Sequence, residues 1–219
     1  MLKSNTMARE VARFLLQINA IKLNTENPFT WASGLRAPIY CDNRRILSFP
    51  DIRRDVAKKM ATLVQKHYPD AEVIAGVATG AIAQGVLVAE RLGLPFVYVR
   101  SGSKSHGLGS RVEGHLEKGK KTVVIEDLVS TGKSSLAAVN ALREAGLDVC
   151  GMAAIFTYDL PQAEQNLRED RCPLHTLSSY GALLDKVTEE NLFGERELDT
   201  LQAWRKDPAA WSHAFNQSR

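Results

Sequence analysis

Cysteine is scarce in this 219-residue chain, which has only Cys41, Cys150 and Cys172. An odd number so widely spaced fits neither a disulfide framework nor paired CxxC metal ligands, and a reducing cytoplasm is the expected setting. Long apolar runs are missing as well. Gly, Pro or charge interrupts every candidate within about ten residues, where a membrane span needs roughly 20. The opening segment MLKSNTMAREVARFLLQINAIKL lacks the uninterrupted apolar stretch and small-residue cleavage site of a signal peptide, and its apolar residues fall at helical spacing. Nor is there a basic tract: 28 Lys and Arg are interspersed with 25 Asp and Glu, for a net charge of +3. No nucleic-acid or membrane partner is expected, and a small anionic ligand would need only a local patch. No internal repeat or low-complexity linker divides the chain.

What is present has the balance of a soluble globular protein with a real core, 44% hydrophobic and 24% charged. From residue 72 the pattern alternates. EVIAGVA reads as a strand, AIAQGVLVAERLG as a helix closed by Gly93, PFVYVR as a strand, KTVVIED as a third strand, SSLAAVNALREAG as a helix closed by Gly146, and DVCGMAAIFT as a fourth strand. Such alternation predicts an α/β fold with a parallel sheet and right-handed crossovers. Before it, NPFTWASGLRAPIYCDNR predicts a small hairpin, a hood beside the N-terminal helix. After it, LLDKVTEENLFGERELDTLQAWRKDPAAW reads as a helical tail that packs back on the sheet, punctuated by Gly194 and Pro208. One domain is expected over 1–219: N-terminal helix and hood in 1–50, α/β core in 72–180, helical tail in 181–219.

The chemistry concentrates in VVIEDLVSTGKSS. Its Gly-Lys-Ser ending suits a nucleotide-binding P-loop, yet a Walker loop needs Gly five residues before the Gly-Lys pair, and that position is Asp127. What the segment offers is a strand, the carboxylates of Glu126 and Asp127, and then Ser130, Thr131, Gly132, Lys133 and Ser134 at a helix start. Backbone N–H groups and hydroxyls there make a cradle for one phosphate monoester, at the sheet edge where open α/β folds bind ligands. The acids upstream are placed to accept hydrogen bonds from vicinal hydroxyls or to help hold Mg²⁺. A sugar phosphate satisfies both halves; the plain alternative is an ordinary helix N-terminus with a Ser or Thr cap.

A second stretch, VRSGSKSHGLGSRVEG, carries Arg100, Lys104, His106 and Arg111 among four Gly and four Ser. It reads either as a mobile cationic lid for a polyanion or as a solvated loop whose charges do nothing. GVATGAIAQG is a strand-turn-helix in which Thr79 and backbone amides could hold an anion, though a tight βα turn looks the same. Cys172 and His175 have the spacing of two metal ligands but no second pair, and read as structural. His67, His115 and His213 read as surface or cap residues.

VVIEDLVSTGKSS resembles the phosphoribosyl pyrophosphate (PRPP) motif of the type I phosphoribosyltransferases. NPFTWASGLRAPIYCDNR, GVATGAIAQG, LPFVYVR, HGLG and the terminal WRKDPAAW extend the likeness over most of the chain, to the orotate phosphoribosyltransferase family. The resemblance implies a type I phosphoribosyltransferase core with helices on both faces, and transfer of ribose 5-phosphate from PRPP to orotate. The products would be orotidine 5′-monophosphate and pyrophosphate, on the way to UMP. It implies that Arg100, Lys104 and His106 are catalytic and bind PRPP, that Glu126 and Asp127 meet the ribose hydroxyls, and that Leu128, Val129, Ser130, Thr131, Gly132, Lys133 and Ser134 complete the PRPP site. Ser130 would also touch orotate. Mg²⁺ would be held mostly by substrate and water, and the loop would be shared across a homodimer.

Departures from the family pattern are Ser101, where many members have a Lys, and Ala32 and Leu160, where some have cations around the base. Arg36 is a candidate substitute. A phosphoribosyltransferase for another base and a non-catalytic PRPP-binding regulator are the alternatives; neither a helix-turn-helix pattern nor a lost Arg-Lys-His loop supports the second.

Overall fold

The structure, a computed structural model, describes residues 2–100, 102 and 111–217. It begins with α1 (Leu2–Gln17), followed by the short strands β1 (Ile21–Leu23), β2 (Phe29–Thr30), β3 (Arg36–Ala37) and β4 (Ile39–Cys41). β2 pairs antiparallel with β3, and β1 with β4, so the predicted hood is a doubled hairpin. A 3-10 turn at Asn43–Ser48 leads into α2 (Pro50–His67), which the sequence pattern left unassigned. Proline at its first turn is pre-set in φ, and Val56, Met60, Leu63 and Val64 give it one buried face.

The core alternates as expected: β5 (Val73–Val77), α3 (Ile82–Leu92), β6 (Phe96–Val99), β7 (Val112–Glu113), β8 (Lys121–Val129), α4 (Lys133–Glu144), β9 (Asp148–Thr157), α5 (Pro161–Glu169) and β10 (Leu174–Ser179). These strands form a six-stranded sheet in the order β10-β9-β8-β5-β6-β7, parallel throughout except that β7 runs antiparallel to β6. Every residue of β5 is buried, and β8 is buried without a break from Thr122 through Glu126, the mark of strands covered on both faces. The chain leaves β5 toward β6 on one side and returns to place β8 on the other. The order therefore reverses between β5 and β8, and their carboxyl ends open a crevice.

The tail departs from expectation. α6 (Tyr180–Glu189) does pack on α1 and β10, but α7 (Glu195–Lys206) and α8 (Pro208–Gln217) turn to the hood. The fully buried Trp204 of α7 stands edge-on to Trp31 of the hood, 5.5 Å between ring centres, and to Tyr158 just beyond β9, at 5.7 Å. Ser212 of α8 accepts the backbone N–H of Arg36 at 2.9 Å. His67 also has a partner that its sequence context did not reveal: its ring stacks on His175 of β10, 3.7 Å between centres. None of the helices among the described residues is long and apolar enough to cross a membrane.

Candidate active site

At the β5–β8 crevice lies a cavity of about 500 Å³. Its walls come from Val77, Ala78, Thr79 and Gly80 after β5, from Glu126, Asp127 and Leu128 of β8, from Ser130, Thr131, Gly132 and Ser134 ahead of α4, and from Cys41, Asp42 and Arg44 of the hood. A larger depression of about 700 Å³ between α5, β10 and Arg205 contains neither Glu126 nor Asp127 nor any of the turn residues, and is a different feature.

The β8 wall has a local cause. After Lys121 and Thr122, β8 is apolar and buried as far as Ile125, where its pairing with β5 ends; Glu126 and Asp127 follow at that edge, with β9 still paired beside them. Glu126 is 5% exposed; its Oε2 accepts from Ser135 Oγ at 2.8 Å and its Oε1 from the Asp127 N–H at 3.0 Å. The turn then passes through Gly132 with φ 77°, a left-handed conformation natural to glycine, and α4 starts with no side chain capping its first N–H groups. Those groups, the Thr131 and Ser134 hydroxyls and the positive end of the helix dipole make an anion cradle. From α5, Asn166 Nδ2 donates to the Thr131 carbonyl at 2.9 Å and holds the turn. On the facing loop, Gly80 packs so close to Asp127 that a Cβ would collide with the carboxylate.

Burial and then the neighbouring Asp127 carboxylate push the Glu126 carboxyl well above the ordinary range. Burial raises Asp127 as well, opposed by its hydrogen bonds and by the Arg44 charge. The pair thus retains a proton to higher pH than free carboxyls would, and burial weighs most on Glu126, the deeper of the two. Burial, with Asp127 and Asp42 nearby, holds the Cys41 thiol well above its usual range, so it lines the cavity as a neutral group.

The hood supplies residues that the sequence motif contained without revealing a role for them. The buried Asn43 donates from Nδ2 to the Asp127 backbone carbonyl, tying the hood to the end of β8. Arg44 is gripped side-on by Asp42, Nε to Oδ1 at 2.6 Å and Nη2 to Oδ2 at 3.0 Å. Arg44's hydrogen bonds and charge draw Asp42 below the usual carboxylate range. The available signal was the polar run CDNR closing an apolar hairpin.

Other expected site residues lie apart. Val129 is fully buried, leaving only its backbone for a ligand. Lys133 is exposed and faces a shallow depression with Asn140 and Asp170, away from the cradle. Arg100 is outside the cavity wall; its Nη1 lies 3.3 Å from Glu113 Oε1, and its N–H donates to the Arg111 carbonyl at 2.9 Å. These contacts extend the β6–β7 ribbon that brings the two ends of the cationic segment together. Lys104, His106 and Ser101 lie outside the described residues. Arg36 is occupied within the hairpin, its Nη1 donating to Thr30 Oγ1 at 3.0 Å and the Pro28 carbonyl at 3.3 Å. Ala32 is exposed on the hairpin and Leu160 is buried at the start of α5.

As for a metal, no group of three or more His, Cys, Asp or Glu among the described residues could enclose one. The cavity's acids fit instead a hard cation that keeps most of its ligands from water and substrate, with Asp127 the carboxylate best placed to assist.

Residues 42–176 match the Phosphoribosyl transferase domain family. The chain is 52% identical over 205 residues to an orotate phosphoribosyltransferase of Bacteroides fragilis, covering 94% of this chain and 97% of that one. It is 49% identical over 206 residues to an orotate phosphoribosyltransferase of Porphyromonas gingivalis, covering 94% and 98%. The fold also aligns with the crystal structure of orotate phosphoribosyltransferase from Aeropyrum pernix, with TM-score 0.72 and 26% identity over 84% of this chain and 99% of that one.

Proposed function

This chain belongs to the phosphoribosyl transferase family and, within it, to the orotate phosphoribosyltransferases, and on that premise we propose how its residues carry out the transfer. The observation that carries the reading is the cavity at the β5–β8 crevice, whose wall sets a phosphate cradle and two carboxylates side by side, as the two polar ends of a sugar phosphate require. The backbone N–H groups and hydroxyls of residues 131–134 hold the 5-phosphate of PRPP. Asp127 and Glu126 accept hydrogen bonds from the ribose hydroxyls. Binding energy taken at these remote groups is used to orient C1 of the ribose.

The bond from C1 to the pyrophosphate oxygen breaks, a bond from C1 to the ring nitrogen of orotate forms, and the proton that nitrogen carried passes to the released pyrophosphate or to water, yielding orotidine 5′-monophosphate. Positive charge develops on the sugar and negative charge on the departing group, so the protein's contribution is electrostatic. Arg100, Lys104 and His106 neutralise the pyrophosphate, assisted by Thr79 and the amides of its loop. Ser130, at the edge of the cradle, touches the base. Asp127 is the residue that would help hold a Mg²⁺ ion, which would be bound mostly by substrate and water and would supply charge neutralisation for the departing pyrophosphate. The cationic segment serves the neighbouring site in a homodimer, and the enzyme works in the cytoplasm.

The test is the ultraviolet absorbance of orotate with purified protein and PRPP, in parallel samples with and without Mg²⁺. Loss of orotate matched by pyrophosphate release, only with metal, is expected. Metal-independent turnover would remove Mg²⁺ from the reading, and PRPP binding with no loss of orotate would leave the regulator alternative.

A further inference from the structure

Orotate is a planar ring bearing a carboxylate, and a carboxylate taken out of water needs a cation or several donors to meet it. The hood and the turn after it carry three arginines, Arg36, Arg44 and Arg45, and only Arg44 lines the cavity. Arg36 donates to Pro28 and Thr30, and Arg45 Nε donates to the Ile18 carbonyl at 3.0 Å. Arg44 alone among described side chains brings a positive charge to the cavity wall.

Its geometry is prepared for an anion. Asp42 takes Nε–H and one hydrogen of Nη2, which fixes the plane of the guanidinium and uses only its side edge. A guanidinium has five N–H donors, so the end-on edge formed by Nη1 and the second hydrogen of Nη2 remains, and that fork matches a carboxylate bidentately. The 3-10 turn that carries Arg44 is anchored by Asn43 to the Asp127 carbonyl, so the fork is held at a fixed offset from the ribose-binding acids.

We propose that Arg44 is the residue that selects the base, its end-on edge receiving the carboxylate of the pyrimidine acid while Asp42 holds it in place. This rests on the activity proposed above and deepens it. Arg44→Gln and wild type are compared in kcat/KM for orotate and for uracil, the same ring without the carboxylate, and in KM for PRPP. Losing a charged, bidentate contact is expected to raise KM for orotate by roughly 10- to 100-fold. The preference for orotate over uracil falls by the same factor, and KM for PRPP stays within about twofold. Arg44→Lys, which keeps the charge and loses the fork, is expected to fall between, and it decides the matter by the same ratio if the Gln variant does not fold.

An unchanged orotate-to-uracil ratio overturns the proposal. So does a loss confined to KM for PRPP, which would place Arg44 on the pyrophosphate. If wild type turns over no orotate, the activity itself fails, and calorimetric binding of orotate to wild type and Arg44→Gln judges Arg44 separately: binding lost only in the variant sustains it, and equal or absent binding in both overturns it.

Discussion

The two walls of the cavity are built in opposite ways. The β8 wall is local: a strand, two acids, a glycine turn and a helix start follow within one short segment, and its hydrogen bonds join neighbours such as Glu126 and Ser135. The hood wall is assembled from a distance. Asn43 reaches Asp127 across 84 positions of sequence, and Arg36 meets Ser212 across 176. Trp31 is stacked on Tyr158 with Trp204 at its edge. A local wall forms whenever its strand and helix form, whereas a distant one depends on every element that props it. On the proposed reading the substrate follows much the same division, with the sugar phosphate on the local wall and the base between Ser130 at its edge and Arg44 of the distant wall.

Removing the prop gives the largest expected effect. Trp204→Ala empties a fully buried site and is expected to lower stability by about 3–5 kcal/mol in urea titration. At temperatures where the variant remains folded, KM for orotate should rise more than KM for PRPP. Equal effects on both would show that the hood is no more dependent on the tail than the cradle is. Trp204→Phe sharpens the comparison, because the indole Nε1 is buried with no hydrogen-bond partner among the described residues. Phe keeps the ring contact and removes that unpaired donor, so most of the stability should return.

The local wall is broken next, by Gly80→Val. A side chain there collides with Asp127, and misplacing a reacting group by an ångström costs on the order of 10²-fold in rate. The fall is expected in kcat/KM for PRPP, measured by pyrophosphate release. A variant within about twofold of wild type would mean that the position of Asp127 is unimportant to the transfer.

The same contrast explains what could be read from the sequence. The strand-helix alternation from β5 to β9 and the turn at residues 130–134 were legible because each is specified by periodicity and punctuation within a dozen residues. α2 went unassigned because its charged positions dilute its apolar face, although Pro50 marks its start. β10 was missed because Leu174–Ser179 is a half-polar edge strand whose pairing partner, β9, supplies the information. The destination of α7 could not be read at all: Trp204 looks like any helix-face aromatic until Trp31 and Tyr158 are seen beside it. For Arg44, the residue type was visible and its direction was not, since the grip of Asp42 is a fact of side-chain geometry.

The smallest effect separates the walls by the sign of their response to pH. Glu126 titrates higher in the folded chain than in the unfolded one, so across that interval the folded state binds more protons and stability declines as pH rises. Asp42 is the reverse. Its carboxyl is drawn down by Arg44, so the unfolded state binds more protons and stability declines as pH falls through the acid range. Glu126→Gln should flatten only the first slope, so that the substitution is better tolerated at pH 8 than at pH 4. Asp42→Asn should flatten only the second, and by less, because the Arg44 side of that pair is more than half exposed and screened by solvent. Urea midpoints for both variants across pH 4 to 8 decide it: if Glu126→Gln leaves the alkaline slope intact, the protein does not keep a buried proton beside Asp127, and the acid pair is solvated as openly as the hood.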